Sequence, residues 1–442
     1  MDRKRTVTAN NLPPGYRITE LGPLPEEWKI VRGSELFRES KLRVRNLKKF
    51  DGVILSITRH AGLIPQEQKF KKRVASRDLR NYKIVYKGQL VYGFPINEGV
   101  IGISFYSLGA VSPAYHVWDI IDNNVDLQFI DWLVKHPSMI AQYMKFASNV
   151  VHRRKNLKPK DFLKISFPLP PLSEQRAIAY VLRSVQEAKE KTENVINALK
   201  ELKRSLMKHL FTYGPVPIDK VDRVKLKETE IGRIPEHWKV VRLGEVLIQV
   251  QYGLSKRGKQ EGLYPILRMN NIQEGWITTH SLQYVDLSKK EFFKFRLEKQ
   301  DILFNRTNSF DLVGKAALFD LEGDYVFASY LIRLKVNTKY IEPYFLNYLL
   351  NWESTQNRLK GLASRGVSQS NISATKLKGF EIPLPPFPEQ KQIVHILRSV
   401  DEKIETEKKR LEALDKVFKA LLNDLMTAKR RLPKEFINRF RE

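Results

Sequence analysis

Short runs of basic and polar residues that suit contact with nucleic acid follow several predicted strands of this sequence. In residues 306–309, Arg, Thr, Asn and Ser stand in a row at a strand end, where such side chains are costly to bury without partners. Arginine suits the edge of guanine and asparagine that of adenine, whereas lysine and serine suit phosphate. For any single residue, a solvated surface role remains the alternative. We predict that the following residues contact nucleic acid: Thr58, Arg59, His60, Lys69, Lys71, Lys72, Arg73, Arg77, Lys256, Arg257, Arg268, Asn270, Asn271, Arg306, Thr307, Asn308 and Ser309.

The first half of the chain carries a strongly basic segment at residues 66–88. Only Glu67 and Asp78 oppose its cationic side chains. Because lysine and arginine neutralise phosphates and release counterions, the segment suits a polyanionic partner. Its cationic residues are Lys69, Lys71, Lys72, Arg73, Arg77, Arg80, Lys83 and Lys87.

The charge of the whole chain favours the same kind of partner. Lysine and arginine total 77 against 49 aspartates and glutamates, which gives a net charge of +28. A surplus of this size attracts polyanions such as nucleic acid. A lysine-rich, solvated surface would give the same total, so the charge alone leaves both interpretations open.

Residue patterns for several kinds of catalysis are absent from the sequence. With 0 cysteines there is no disulfide, thiolate zinc site or cysteine nucleophile, and none of the 8 histidines forms HExxH or another close ligand pair. No phosphate-binding GxxxxGKS/T loop occurs, nor an NPPY-like tetrapeptide or a GxG after an apolar strand, so no site for S-adenosylmethionine is expected. We therefore expect no catalytic residue, no metal and no cofactor in this chain.

Targeting signals are also absent from the sequence. Residues 1–11 are charged and polar, which argues against a signal peptide, and no apolar run approaches the ~18–20 residues of a membrane span. The lack of cysteine suits a reducing compartment. We expect a soluble, cytoplasmic protein that has no contact with membranes.

Two boxes occur twice in the chain. Residues 168–187 and 383–402 agree at 12 of 20 positions with an offset of 215, and both contain PLPP followed two residues later by Glu-Gln. Residues 19–35 and 229–245 agree at 10 of 17 positions with an offset of 210, and each contains a tryptophan, Trp28 or Trp238. Between the boxes similarity falls to scattered residues. A constant frame around divergent contents is typical of two recognition domains with different targets, and plain drift is the alternative.

Each PLPP box precedes a long predicted helix with apolar residues at heptad spacing, which predicts a coiled coil. The first helix has Thr192 as its polar member and carries apolar residues at Ile178, Val181, Val185, Ala188, Val195, Leu199, Leu202 and Leu206. The second has Glu407 as its polar member and carries apolar residues at Ile393, Leu397, Val400, Ile404, Leu411, Leu414, Phe418, Leu421 and Leu425. We predict an antiparallel pair, each helix roughly 50–55 Å long. Two separate helices, each packed on its own domain, are the alternative.

The divergent bodies between the boxes mix predicted strands with predicted helices. Strands are expected at residues 54–58, 82–86, 89–93, 264–269, 301–306, 316–319 and 328–336, and helices at 126–146 and 342–362. The predicted fold class is α+β, with two mixed α/β domains in a pseudo-twofold repeat, separated by two long helices that form an antiparallel coiled coil. The predicted parts are domain 1 at 1–171, helix 1 at 172–212, a linker at 213–228, domain 2 at 229–386, helix 2 at 387–428 and a short basic tail at 429–442.

The boxes and the motifs between them resemble specificity subunits of type I restriction-modification systems. The resemblance covers nearly the whole chain and is carried by residues 229–246 (TEIGRIPEHWKVVRLGEV), 301–309 (DILFNRTNS), 368–373 (SQSNIS) and 382–390 (IPLPPFPEQ). The second half matches the family pattern at Arg306, Asn308, Gln369 and Asn371. The first half departs from it, since residues 89–93 read QLVYG and residues 151–156 lack the Gly-x-x-Gln form, whereas residues 109–117 resemble another subtype of recognition domain.

The resemblance implies a non-catalytic subunit whose two target-recognition domains each read one half of a split target in double-stranded DNA. It implies that the coiled coil spaces these domains and that two methyltransferase subunits dock beside it. Those subunits would bind S-adenosylmethionine and methylate adenine in each half of the target. Motor-nuclease subunits that use ATP and Mg²⁺ are implied as further partners.

Three other functions stay open at this point. The chain could be an enzyme that acts alone, such as a degenerate methyltransferase or nuclease, and methyl transfer by the isolated chain would indicate this. It could be a coiled-coil adaptor that binds DNA without reading its sequence. It could also be the specificity subunit of a modification-only or other restriction system, which its partners would reveal.

Overall fold

The chain divides into two units, and each unit contains a part of both long helices. The structure, a computed structural model, describes residues 12–59, 61–70, 74–151, 154–365 and 369–441. The first unit comprises the described parts of residues 1–192 and 410–442, and the second comprises those of residues 193–409. The candidate residues His60, Lys71, Lys72 and Arg73 lie outside the described residues.

The opening box of the first unit forms a hairpin of β1 (Tyr16–Thr19) and β2 (Gly22–Pro25), and β3 (Lys29–Arg32) leads into the body. The body begins with α1 (Gly33–Leu36), β4 (Phe37–Ser40), β5 (Val53–Thr58), β6 (Gly62–Pro65), α2 (Gln66–Lys69), β7 (Lys83–Tyr86), β8 (Leu90–Tyr92), β9 (Ile101–Ile103), β10 (Leu108–Val111) and β11 (His116–Ile120). It continues with α3 (Leu127–Lys135), α4 (Pro137–Phe146), β12 (Ser148–Val151), β13 (Arg154–Asn156), α5 (Pro159–Phe162) and β14 (Ser166–Leu169), and the first long helix, α6 (Leu172–Tyr213), follows.

Two sheets of the first unit pack face to face, in the strand orders β6-β5-β10-β7 and β4-β11-β8-β9. Alternation along β8 and β11 places Val91 and Val117 in the apolar cluster shared with β5 and β7. Tyr92 and Trp118 belong to a second cluster, which contains Phe129 of α3. The sheet β4-β11-β8-β9 is therefore covered by the other sheet on one face and by helices on the opposite face.

The second unit has a similar order of elements, with additional short strands in its body. Its opening hairpin is β15 (Leu226–Thr229) with β16 (Gly232–Pro235), and β17 (Lys239–Arg242) leads into the body. The body contains β18 (Leu247–Tyr252), β19 (Tyr264–Leu267), β20 (Ile272–Gln273), β21 (Trp276–Ile277), β22 (Gln283–Val285), α7 (Lys289–Phe295), β23 (Ile302–Asn305), β24 (Thr307–Asn308), β25 (Ala316–Leu318), β26 (Val326–Phe327) and β27 (Leu331–Val336). It ends with α8 (Pro343–Asn351), α9 (Glu353–Leu362), β28 (Ser364–Arg365), β29 (Ser370–Asn371), α10 (Ala374–Lys378) and β30 (Glu381–Leu384), and the second long helix, α11 (Phe387–Met426), follows.

The strand orders in the second unit are β18-β27-β23-β25-β21-β20, β22-β19-β26 and β24-β29-β28. All seven predicted strands are confirmed, in β5, β7, β8, β19, β23, β25 and β27. The predicted helix at 126–146 is interrupted at His136, whose ψ is 141°, because the following Pro137 disfavours helical backbone there. The predicted helix at 342–362 is interrupted likewise at Trp352, whose ψ is 137°.

The duplicated boxes close each body at its base. In the first unit β3 pairs antiparallel with β14 of the PLPP box, from Lys29 opposite Leu169 to Arg32 opposite Ser166. In the second unit β17 pairs with β30 in the same way. Each body is thus an insertion between two paired frame strands, which hold its two ends together whatever its sequence.

A glutamate at the start of each long helix joins the two boxes. Glu174 is 1% exposed and accepts a hydrogen bond from the indole Nε1 of Trp28 at 3.2 Å. Glu389 accepts one from the indole Nε1 of Trp238 at 2.9 Å. Both tryptophans are buried, at 1% and 0% exposed, so the bond satisfies an indole N–H that water cannot reach.

The glutamine that follows joins the long helix to the body. Gln175 accepts the backbone N–H of Asp126 at 2.9 Å and donates to the carbonyls of Pro170 and Asn124 at 2.9 and 3.1 Å. Gln390 repeats this arrangement with the N–H of Glu342 at 2.8 Å and the carbonyls of Pro385 and Tyr340 at 2.9 and 3.0 Å. Asp126 and Glu342 in turn cap α3 and α8. The Glu-Gln pair that the two boxes share is therefore explained by the contacts of its side chains.

The two long helices run antiparallel within each unit, as the heptad pattern predicted. In the first unit Lys189 of α6 pairs with Asp415 of α11 at 2.8 Å, and Glu174 pairs with Arg431 beyond the end of α11. In the second unit Lys203 pairs with Asp401 at 2.6 Å. The apolar face predicted for α11 is confirmed, since none of the apolar residues predicted to form it is exposed.

The apolar face predicted for α6 is wrong at two positions. Val195 and Leu202 are 45% and 47% exposed, whereas Ile196, Met207 and Leu210 are 7%, 8% and 2% exposed. A straight helix drifts by about 20° per heptad from a strict seven-residue pattern, so the buried stripe moves by one residue along a long helix.

The segments that flank the long helices differ from the predicted linker and tail. The helix α6 extends to Tyr213, and β15 begins at Leu226, so both ends of the predicted linker 213–228 belong to regular elements. The predicted tail 429–442 contains a further short helix, α12 (Lys434–Ile437). Phe436 of this helix packs on Tyr180 of α6, with ring centroids 6.2 Å apart.

The glutamine bridge yields a stability prediction. In Gln390→Ala, the N–H of Glu342 and two carbonyls lose their partner, and such largely buried groups cost about 1–3 kcal/mol. We expect the free energy of unfolding to fall by this amount and hydrogen exchange at the Glu342 amide to accelerate. The control is Gln186→Ala, whose amide bonds Glu190 on an exposed helix face. Equal effects of the two substitutions in urea denaturation would contradict the bridge.

Candidate nucleic-acid interface

Arg306 lies at the end of β23 in the second unit and is held on two sides. Its guanidinium lies over the Tyr252 ring, 4.8 Å from the centroid, and its Nη1 donates to the carbonyl of Ser329 at 3.2 Å. The backbone N–H of Arg306 donates to the carbonyl of Tyr330 at 3.0 Å. A guanidinium plane with its orientation fixed in this way suits bidentate recognition of a guanine edge or a phosphate.

The next three residues divide between positioning and presentation. Thr307 is 8% exposed, and its Oγ1 accepts a hydrogen bond from Nδ2 of Asn371 at 3.1 Å, which joins β24 to β29. Asn308 is half-buried and its Oδ1 accepts the N–H of Ser309 at 2.8 Å, while Ser309 is exposed. Thr307 therefore positions the segment, and Asn308 and Ser309 lie where a ligand can reach them.

The candidates after β19 differ in the same way. Asn271 is 0% exposed, and its side chain accepts the N–H of Arg268 at 3.0 Å and donates to the carbonyls of Thr278 and His280 at 2.9 and 3.1 Å. These three bonds close the turn and leave the side chain no role in direct contact with bases. Asn270 is exposed, and Arg268 is half-buried with Nη2 donating to a carbonyl of the same turn at 2.9 Å.

The candidates after β18 lie on an exposed loop. Lys256 pairs with Glu291 of α7 at 2.7 Å, and this hydrogen bond is the main cause that lowers the pKa of Glu291 to about 2. The pair is therefore ionised at neutral pH, and the Glu291 carboxylate offsets the positive charge that Lys256 presents to a phosphate. Arg257 is exposed.

The segment before β27 brings these candidates together. The N–H of Ala328 donates to the carbonyl of Leu267, directly before Arg268, at 2.9 Å. The N–H of Ser329 donates to the carbonyl of Leu254 at 2.8 Å, and its own carbonyl receives the Arg306 guanidinium. Three strand ends thus meet around residues 328–330, and they form one candidate interface in the second unit.

In the first unit, the candidates after β5 surround a tight turn. Thr58 accepts the N–H of Ala61 at 3.1 Å and donates to the carbonyl of Gly62 at 3.0 Å, so its hydroxyl closes the turn. Arg59 is exposed at the tip. Lys69 donates to the carbonyl of Ile57 at 3.1 Å, which places it beside the same strand end.

The basic segment at 66–88 contributes fewer available cations than its sequence suggests. Lys83 is 9% exposed and donates to the carbonyl of Tyr115 at 2.5 Å, and burial lowers its pKa. Arg80 is occupied by Asp78, which it contacts at 2.9 Å. The exposed cations among the described residues of this segment are Lys69, Arg77, Arg80 and Lys87.

Sequence reasoning missed aromatic residues at the interface of the second unit and an asparagine in the first. Tyr252 and Tyr330 are 43% and 44% exposed beside Arg306. No local motif distinguishes them from the other tyrosines of the chain. Asn156 of β13 is half-buried like Asn371 of β29, and the two are separated by the same offset of 215 as the PLPP boxes. That offset, extended from the PLPP box towards the N-terminus, would have identified Asn156 as the counterpart of Asn371.

The described residues contain neither a metal-binding cluster nor a membrane-spanning helix. They contain no group of three or more His, Cys, Asp or Glu side chains that could hold a metal ion. Within the same residues, no helix is long and apolar enough to cross a membrane.

The family model of the type I restriction modification DNA specificity domain matches this chain twice, at residues 25–201 and 235–416. The chain belongs to this family. The predicted membership is confirmed, and with it the prediction of a specificity subunit instead of a catalytic one. The two matches coincide with the two repeats of the sequence.

Curated relatives carry corresponding names. Over 204 residues the chain is 40% identical to the putative type I restriction enzyme MjaX specificity subunit of Methanocaldococcus jannaschii, which covers 46% of this chain and 48% of the relative. Over 280 residues it is 31% identical to the MjaVIII specificity subunit of the same organism, covering 62% and 64%. Over 249 residues it is 27% identical to the EcoKI specificity subunit of Escherichia coli, covering 54% and 51%. The chain thus spans about half to two thirds of the length of these relatives.

Solved structures share the fold. A type I restriction-modification S subunit from M. genitalium aligns with a TM-score of 0.54 at 16% identity, over 90% of this chain and 96% of that one. A chain from a study of assembly and conformational transition in the type I system aligns with a TM-score of 0.52 at 17% identity, over 91% and 98%. The predicted fold class, two mixed domains with long helices between them in the chain, is confirmed.

The geometry of Arg306 yields a binding prediction with a salt dependence. In Arg306→Ala, the affinity for the cognate duplex should fall by about 1–3 kcal/mol while the affinity for unrelated duplexes changes little, because a guanidinium held in one orientation suits one base edge. In Arg257→Ala, all duplexes should weaken alike, and the slope of log affinity against log salt should fall by about one. Titrations at several salt concentrations measure both effects. Equal loss for every duplex in Arg306→Ala would show that Arg306 contacts only phosphate.

Proposed function

We propose that this chain is the DNA-reading subunit of a type I restriction-modification complex and that each unit reads one half of a bipartite target. The observation that carries the proposal is the contrast between frame and body. The frame strands and the bonds of Trp28, Glu174 and Gln175 are repeated by Trp238, Glu389 and Gln390, while the bodies they close present different side chains at their strand ends.

Orientation of the polar groups supports base reading over simple attraction. A net charge of +28 supplies attraction to any duplex. Arg306 is instead held by a ring and a carbonyl, and β24 is fixed to β29, so the donors have one geometry before DNA arrives. A rigid donor set distinguishes bases because it cannot adapt to a wrong edge.

The proposal includes the partners of the complex. We propose that two methyltransferase subunits dock beside the paired helices α6 and α11, bind S-adenosylmethionine and methylate adenine in each half of the target. Motor-nuclease subunits with ATP and Mg²⁺ complete a restricting complex. Support comes from the family and from relatives that are named specificity subunits of type I restriction enzymes.

Mapping of methylated adenines in the host genome tests this function. The wild-type chain should direct methylation to one split motif that is lost when the gene is deleted. Arg306→Ala should relax the accepted bases in one half of the motif, and Arg59→Ala should do so in the other half, because the two residues belong to different units.

Two outcomes would contradict the proposal. Methylation unchanged by deletion of the gene would remove the role in target choice. Relaxation of both halves by Arg306→Ala would show that the units do not read separately. A chain that binds DNA without any preferred motif would be an adaptor instead.

A further inference from the structure

A loop in the first unit occupies the place that the Arg306 loop occupies in the second. In the first unit Tyr92 of β8 pairs with His116 of β11, and in the second Phe304 of β23 pairs with Ile332 of β27. Two residues beyond these pairs lie Phe94 and Arg306.

The hairpins that these strands begin correspond as well. Gly93 donates its N–H to the carbonyl of Val100 at 2.9 Å, and Asn305 donates its N–H to the carbonyl of Lys315 at 2.8 Å. The loop at residues 93–100 is therefore the counterpart of the loop at residues 305–315.

Each loop is also fixed to the hairpin that precedes the PLPP box. In the second unit the β24 segment is joined to β29 by Asn371 and Thr307. In the first unit the N–H of Lys155 in β13 donates to Oδ1 of Asn97 at 2.9 Å. The same kind of cross-link at the same point of the fold is independent support for the correspondence.

The loop of the first unit lies beside the turn that carries Arg59. A Cβ atom at Gly93 would lie 2.8 Å from the ring of Tyr115 and 3.4 Å from the Ile57 side chain, so Gly93 packs against the last part of β5. A Cβ atom at Gly99 would lie 4.0 Å from the Arg59 carbonyl. The loop and the turn after β5 therefore form one surface, as the three strand ends do in the second unit.

The chemistry of the two loops differs. Residues 89–117 contain no lysine or arginine, whereas the loop of the second unit contains Arg306 and Lys315. Phe94, the register counterpart of Arg306, is 38% exposed. An apolar ring on a base-reading loop suits the 5-methyl group of thymine, which projects into the major groove.

We propose that residues 93–100 form a base-reading loop of the first unit and that Phe94 recognises thymine through its 5-methyl group. This inference rests on the proposed function, since it assumes that the first unit reads a half-site. It adds a reading residue that the strand-end motifs of the sequence do not mark.

Deoxyuridine tests the contact because it differs from thymidine only by the methyl group. The DNA is a duplex that carries the motif identified by mapping methylated adenines, and each thymine of its first half-site is replaced in turn by deoxyuridine. The affinity of this duplex for the complex of the chain with its methyltransferase partner is measured. At one position the wild-type complex should bind the uracil duplex about fourfold more weakly, the effect of one buried methyl group. Phe94→Ala should bind the two duplexes equally, and the thymine duplex about fourfold more weakly than wild type does.

Phe105→Ala is the matched control. Phe105 is 46% exposed and lies beyond the other end of the same β8–β9 hairpin, so its removal should leave the preference for thymine intact. Methylation of the second half-site by each variant verifies that the chain is folded. Phe94→Leu, which keeps an apolar group, should retain part of the preference.

The inference is overturned if Phe94→Ala keeps the preference, if no uracil substitution weakens binding by the wild type, or if the first half-site contains no thymine on either strand. In each of these cases the proposed function stands as long as Arg306→Ala relaxes the second half-site. If the wild-type complex prefers no sequence at all, the proposed function itself fails.

Discussion

A carboxylate at the first turn of each long helix holds the frame of this protein together. Glu174 is buried, and a buried charge is costly unless it is paired and hydrogen-bonded. It receives the Trp28 indole and the Arg431 guanidinium, and the bond to Glu174 raises the pKa of Arg431. Glu389 receives the Trp238 indole and His237. Because each carboxylate joins the opening box, the PLPP box and a long helix, loss of either partner would leave a polar group without a bond at the base of a body.

The divergence of the bodies follows from this arrangement. The frame strands β3 and β14, like β17 and β30, fix where a body begins and ends. The Gln-mediated caps fix where its helices α3 and α8 begin. Side chains at the far strand ends contribute little to these contacts, so they can change without loss of the fold. The interface in the second unit presents a clamped arginine, whereas the corresponding loop in the first unit presents a phenylalanine.

The sequence predicted the parts of the fold whose signals are local. Heptad spacing predicted α11 and its apolar face, and short β-branched and aromatic runs predicted strands such as β5 and β23. Whether a polar side chain is bonded within the fold or left accessible depends on contacts with residues that are distant in the chain. For this reason Asn271 and Thr307, which were predicted to contact nucleic acid, and Lys83, which was counted in the basic segment, are engaged within the fold. The Tyr252 ring beside Arg306 was not predicted. The drift of a straight helix misplaced Val195 and Leu202.

The central claim is that the frame carries two independent readers, and an exchange of bodies tests it most directly. In this chimera residues 243–380 replace residues 33–165, so that both pairs of frame strands enclose the second body. The measurement is a genome-wide map of methylated adenines in cells that express the chimera and the methyltransferase partner. The account predicts a symmetric motif in which both halves equal the half read through Arg306. Methylation of the original asymmetric motif by the chimera would contradict it.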